Sequence, residues 1–280
     1  MTTVGELISS SSSGTCGTAP VRKLNLQIIA EMNLIIPNVL VSFEDLNISS
    51  ATGAVNLYLQ PGAKDALRRV IKAKGNQTLT INSAYRTVVQ QHILFSWFQS
   101  NKCGIGLAAR PGKSNHEDGL ALDLPDPENS TWRSELTDED WEWIGPQDRF
   151  HFTYRGGGRD DIGDIGVKAF QRLWNKNNPT DMITADGDFG PQTAEKMNRA
   201  PVDGFPPKRL LKLATPPLQG DDVRKVQQAL VNVKLLANAD VTGIYDNKTA
   251  DAVGKLQQER GLSVDKIVGS STRRELGIPN

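Results

Sequence analysis

Histidine and cysteine are scarce in this 280-residue chain, with three of the first and two of the second. Two cysteines are too few for a disulfide framework. At most, one bridge between Cys16 and Cys103 would tie an N-terminal arm to the body of the chain. Neither cysteine has a second Cys or His at metal spacing, which excludes both as zinc ligands. An excess of charge is missing too: Lys plus Arg and Asp plus Glu both number 32. That balance excludes a strong field for nucleic acid or for an anionic membrane surface. No apolar run reaches transmembrane length, and the start, MTTVGELISSSSSGTCGTAPVRK, lacks a basic stretch followed by an apolar run of secretory length. Standard export is therefore not encoded in this stretch, and the absence of a leader, release by lysis and a dedicated secretion device stay open. The serine run at 9–13 reads as a flexible linker or tail.

Two of the three histidines stand in stretches that suit a metal. In SNHEDGLALDL, residues 114–124, His116 and Asp123 are the chemical groups, and Gly119 permits a sharp change of direction between them. The alternation from Leu120 to Leu124 then reads as a short strand, leucines to a core and Ala121 with Asp123 to the other face. DRFHFTY, at 148–154, alternates again, with Phe150, Phe152 and Tyr154 on one face and His151 and Thr153 on the other. Two imidazoles and one carboxylate leave a fourth tetrahedral position for water, the arrangement of a catalytic zinc rather than a structural one. Asp148, three residues before His151, is placed to take a proton, and Arg86 in INSAYRT to neutralise charge on a substrate or intermediate. His92, in the helical-looking VVQQHILFSWF, is read as a residue of a helix packed beside the site.

The pattern Ser114, His116, Gly119, Ala121, Asp123, followed by an acidic residue three before a histidine, resembles the M15 family of zinc peptidases over roughly residues 55–155. That family includes D-alanyl-D-alanine carboxypeptidases, vancomycin-resistance dipeptidases and phage L-alanyl-D-glutamate endopeptidases. The resemblance implies that His116, Asp123 and His151 bind one Zn2+ ion, that Asp148 is the general base, and that Arg86 and Ser114 contact the substrate. The carboxypeptidase and dipeptidase branches usually carry Glu where Asp148 stands. Asp is more similar to the phage endopeptidases.

Around these motifs, GAKDALRRVIKAKG at 62–75 has helical spacing ended by Gly75, LTIN continues as a strand, and Thr87 to Gln99 reads as a second, apolar helix. Trp141 and Trp143 belong either to the core or to a cleft wall. GGGRDDIGD at 156–164 looks like a hinge. Beyond it the chain repeats: Val167, Gln171, Gly187, Phe189, Thr193 and Ala194 match Val223, Gln227, Gly243, Tyr245, Thr249 and Ala250 at one offset of 56, for example 223 − 167. The second copy resembles the three-helix peptidoglycan-binding domain, with Asp246 where that family usually has Gly; the first lacks a clear third helix.

The expected organisation is an N-terminal extension over 1–45, an α+β zinc peptidase domain with a small antiparallel sheet over 46–156, a partial repeat over 157–206, and a small all-α peptidoglycan-binding domain over 207–280. The function expected is hydrolysis of an amide in the wall stem peptide, by a protein acting at the bacterial cell wall in the periplasm or outside the cell, with peptidoglycan as partner. The alternative is a peptidoglycan-binding protein with weak or no turnover.

Overall fold

A computed structural model describes the chain except residues 13, 51, 126–129, 207–208 and 279–280, and describes 130 and 131 by backbone alone. Two compact units result, Met1–Phe205 and Pro206–Asn280. The boundary expected at 207 falls on residues outside the described set.

The first unit has two apolar cores. One is built around α2 (Arg22–Ile35), α4 (Val88–Gln99) and α6 (Ile165–Asn177). Helix α2 stops two residues before Pro37, whose ring and missing N–H cannot continue it. It lays Leu24, Ile28 and Met32 against α6, and its buried Glu31 is paired with Arg172 at 2.7 Å and with Lys176. Thr87 and Gln90 close a reciprocal capping box at the start of α4.

Ser9 and Ser10 of the run expected to be flexible instead end a helix, α1 (Val4–Ser10), for a local reason. Thr3 and Glu6 form a second capping box, Val4 is buried, and the Val4 N–H donates to the Ala200 carbonyl beside α7 (Pro191–Arg199) at 2.9 Å. Ser9 and Ser10 are its last residues; Ser13 lies outside the described set. Cys16 and Cys103 are bonded, closing a separation of 87 residues.

The second core lies under α3 (Pro61–Ala73), whose Ala63, Ala66, Leu67, Val70 and Ile71 form one buried face. Beneath it run two pairs, β1 (Val41–Ser42) with β3 (Tyr58–Leu59), antiparallel, and β2 (Ile48–Ser50) with β4 (Leu79–Ile81), parallel. A three-stranded antiparallel sheet comes next, in the order β5 (Ala121–Asp123), β7 (His151–Tyr154), β6 (Trp141–Trp143), with α5 (Ser130–Asp138) beside β6. Trp141 is fully buried against Tyr154, so it belongs to the core, whereas Trp143 is half-buried beneath the Arg133 guanidinium. Phe150 ends outside the core, 39 % exposed, because β7 begins only at His151. The glycine-rich stretch at 156–164 is pinned rather than hinged. Gln60 donates to the Asp118 and Asp160 carbonyls and accepts from the Asp160 N–H, all within 3.0 Å.

The second unit is helical: α8 (Asp221–Asn232), α9 (Asn247–Glu259) and α10 (Ser270–Glu275) around Val223, Val226, Leu230, Tyr245, Val253 and Leu256. A buried glutamine organises both it and the first repeat. Gln171 donates to Asp186, to the Asp188 carbonyl and to Thr193, and accepts from the Gly187 N–H. Gln227 does the same with Thr242, the Ile244 carbonyl, Thr249 and Gly243, every partner shifted by 56. Gln257 makes a third clamp on Asp265, Ile267, Thr272 and the Lys266 N–H. The residue that turns its N–H inward has positive φ each time: +90° at Gly187, +79° at Gly243, +56° at Lys266. Glycine adopts that backbone without the steric penalty a side chain incurs, which is why two of the three are Gly.

Candidate metal centre

Strand register does most of the assembly. In the β5–β7 pair Asp123 stands directly opposite His151, and Ala121 opposite Thr153, so all four side chains share one face. The small Ala121 leaves space beside the acid. His116 arrives from the loop before β5. Gly119, at φ +65°, turns that loop into the strand, and a Cβ there would stand 2.6 Å from Leu40 Cδ2. Glu117 holds the loop from within: its carboxylate accepts from the Gly112 N–H at 2.9 Å and the Ser114 N–H at 3.1 Å. Burial pushes the Glu117 carboxyl up to about 7 against those hydrogen bonds.

One donor atom each from His116, Asp123 and His151 lies within 4.8 Å of the others. Asp123 offers one oxygen to each ring, Oδ2 at 3.3 Å from His116 Nε2 and Oδ1 at 3.1 Å from His151 Nδ1. Burial pushes the Asp123 carboxyl up, but the two imidazoles outweigh it and hold the group well below the usual carboxylate range. His116 is lowered by burial and by the Arg86 charge, against Asp123. The donor set fits zinc. Ligands about 2.05 Å from a tetrahedral ion stand about 3.3 Å apart, close to the two His–Asp spacings, and the third spacing, between the rings, is within 4.8 Å. The far nitrogens are also committed. The Ala84 carbonyl can only accept, so His116 Nδ1 carries the hydrogen at 2.8 Å and leaves Nε2 for an ion. His151 Nε2 meets Thr153 Oγ1 at 2.9 Å, leaving Nδ1 facing Asp123.

Arg86 Nη2 is 4.0 Å from Asp123 Oδ2, and its guanidinium is steadied by Gln91 at 2.9 Å and Ser83 at 3.3 Å. Ser114 is buried, and its hydroxyl faces the His116 N–H at 3.4 Å within the same turn. Asp148 is not in the tight cluster: it ends an exposed 3-10 turn, Pro146–Asp148, though its charge is felt at Arg86. His92 is buried on α4, Nε2 at 2.9 Å from Asn198 Oδ1 and its ring against Phe189, so it serves packing on α7. Thr153 and Glu117 have roles in the structure that the motifs do not announce. The alternation that sets Thr153 on the face of His151 is the signal for the first; Glu117 shows none.

The His–Asp–His cluster on the small sheet and the helical C-terminal unit each fall within a segment that matches a known family. Residues 56–161 match the VanY family, described as D-alanyl-D-alanine carboxypeptidase, and residues 219–276 match the peptidoglycan binding domain family. The chain thus carries a VanY-type domain and a C-terminal peptidoglycan-binding domain. It is also similar to the N-acetylmuramoyl-L-alanine amidase CwlL of Bacillus licheniformis, 33 % identical over 111 residues, covering 34 % of this chain and 31 % of that protein. The amidase XlyB of Bacillus subtilis (strain 168) is 35 % identical over 103 residues, 35 % of this chain and 32 % of its own. The chain spans about a third of the length of the curated relatives it matches.

Proposed function

We propose that this protein is a zinc-dependent peptidase that hydrolyses an amide bond in the stem peptide of bacterial peptidoglycan, D-alanyl-D-alanine or L-alanyl-D-glutamate. It acts at the wall, held there by the C-terminal unit. The observation that carries the reading is the convergence of His116, Asp123 and His151 inside the segment that matches the VanY family. No described helix is long and apolar enough to cross a membrane.

His116 Nε2, His151 Nδ1 and an Asp123 oxygen would hold the ion. Zinc, when bound, acidifies water toward a pKa of ~7 and polarises a carbonyl. The chain supplies the rest. Thr153 and the Ala84 carbonyl orient the two rings, and Ala121 leaves room for the substrate. Arg86 binds a carboxylate or carbonyl oxygen of the stem and opposes the negative charge that develops there. Asp148, whose charge is felt at Arg86, accepts a proton in the hydrolysis and returns it to the leaving amine.

Replacement of His151 by Ala is expected to abolish zinc binding and turnover together, read by metal analysis and mass spectrometry of digested peptidoglycan. Asp148→Ala keeps the zinc and lowers turnover by about 10²–10⁴-fold; full activity in a metal-free His151→Ala protein would sink the mechanism. A second reading, cleavage at the muramoyl–L-alanine amide, is favoured by the names of the relatives. The products separate all three: loss of D-Ala, a new N-terminal D-Glu, or a new N-terminal L-Ala.

A further inference from the structure

Beside the metal loop, and outside the three ligands, lies a groove of 390 Å³ between residues 110–113 and the turn at 187–190 of the first repeat. It is a built feature. Arg110 donates to the Phe189 carbonyl and covers the Phe189 ring at 5.8 Å, fastening the loop to the turn. Gln91 joins the loop to the metal centre, donating to the Ala109 carbonyl at 2.7 Å while accepting from Arg86 at 2.9 Å. Glu117 makes the second link, through the Gly112 N–H.

The charges lining the groove are Arg110 and Lys113 against Asp164 and Asp188. Asp118 and Asp161 stand against Gly163 of the lining as well, and Lys113 acts on Asp118, so the groove holds no excess of positive charge; it disfavours a net anion such as a phosphate and suits a ligand that brings an ammonium together with a carboxylate. Arg110 is engaged with Phe189. The side chains of Lys113, Asp164 and Asp188 are exposed. Distance also selects. Lys113 precedes His116 by three residues, so their Cα atoms are at most about 11 Å apart, which an extended peptide covers in about three residues.

We propose that this groove is a subsite for the diamino-acid residue of the stem peptide, Lys113 receiving a carboxylate and Asp164 with Asp188 an ammonium group. The inference rests on the stem-peptide reading above. It gives the first repeat a place in substrate recognition rather than in tethering, and it sets the third residue of the stem within reach of the ion.

The test uses three synthetic stem pentapeptides with diaminopimelate, lysine or norleucine at position three. KM is measured with the zinc-loaded protein, and binding by calorimetry with the zinc-free protein. Diaminopimelate is expected to bind best and norleucine worst. Asp164→Asn with Asp188→Asn weakens both amine-bearing peptides by about fivefold per charge removed and leaves norleucine unchanged; Lys113→Glu weakens the diaminopimelate peptide alone. Equal binding of the three peptides, or variants that weaken all three alike, overturns the proposal. Discrimination in the calorimeter without turnover of any peptide removes the peptidase reading and leaves the subsite standing. Turnover without discrimination does the reverse.

Discussion

The two copies of the helical repeat carry the same glutamine clamp on the same partners, yet they are buried in different company. Copy two packs α9 against both α8 and the short α10, and its inward residues are smaller: Val226, Ala229 and Leu230. At the same positions copy one has Phe170, Leu173 and Trp174. Those larger side chains extend a core that includes α2 and α4, with Trp174 reaching Phe205 at 6.1 Å between centroids. A clamp of one glutamine therefore sets the turn, while the volume of three neighbours decides which core the pair of helices joins. The cap differs as well. Gly190 precedes α7 without a side-chain bond, whereas Asp246 accepts from the Thr249 N–H at 2.9 Å before α9. An extended Asp, at φ −100° and ψ −179°, needs no glycine there.

All five tryptophans lie in the first unit, so their fluorescence follows that unit alone during urea unfolding, and circular dichroism follows both. The largest expected contrast is at matched core positions. Phe170→Ala costs about 3–5 kcal/mol and lowers zinc retention with the fluorescence midpoint. Val226→Ala costs about 1–3 kcal/mol and leaves that midpoint in place. Should Val226→Ala move it, the separation of the two cores is wrong. Next come the clamps. Gln171→Ala and Gln227→Ala each strand buried partners and cost about 1–3 kcal/mol, but only the first is expected to reduce hydrolysis of a soluble stem peptide. The second is read instead as weaker sedimentation with insoluble wall. Smallest is the cap: Asp246→Gly makes copy two resemble copy one and costs only about a few tenths of a kcal/mol, seen in the circular dichroism transition.

Much of the molecule is legible in its residues because it rests on short periods. Alternation of two puts His151 and Thr153 on one face, and a constant offset of 56 reveals the two matching copies in the sequence alone. The third clamp escapes that reading because its spacing contracts: Gln257 to Thr272 is 15 residues, against 22 from Gln227 to Thr249 and from Gln171 to Thr193. No fixed offset aligns it. Helix α1 is hidden by its serines, poor helix formers that a capping box and one buried valine outweigh. The stretch at 156–164 reads as loose by composition, and only Gln60, a hundred residues upstream of Asp160, shows it to be tied down. Long-range partners of that kind leave no mark in local pattern.

The bond between Cys16 and Cys103 makes this protein two materials in one, depending on where it is kept. Thiols stay reduced in a cytosol and pair in an oxidising exterior. A closed loop of this length is worth about 4–5 kcal/mol in the chain-entropy account, of the order of a small domain's whole stability. The same polypeptide is thus softer and easier to digest on the reducing side of a membrane than on the other. How well it resists unfolding therefore depends on the redox state of the compartment that receives it.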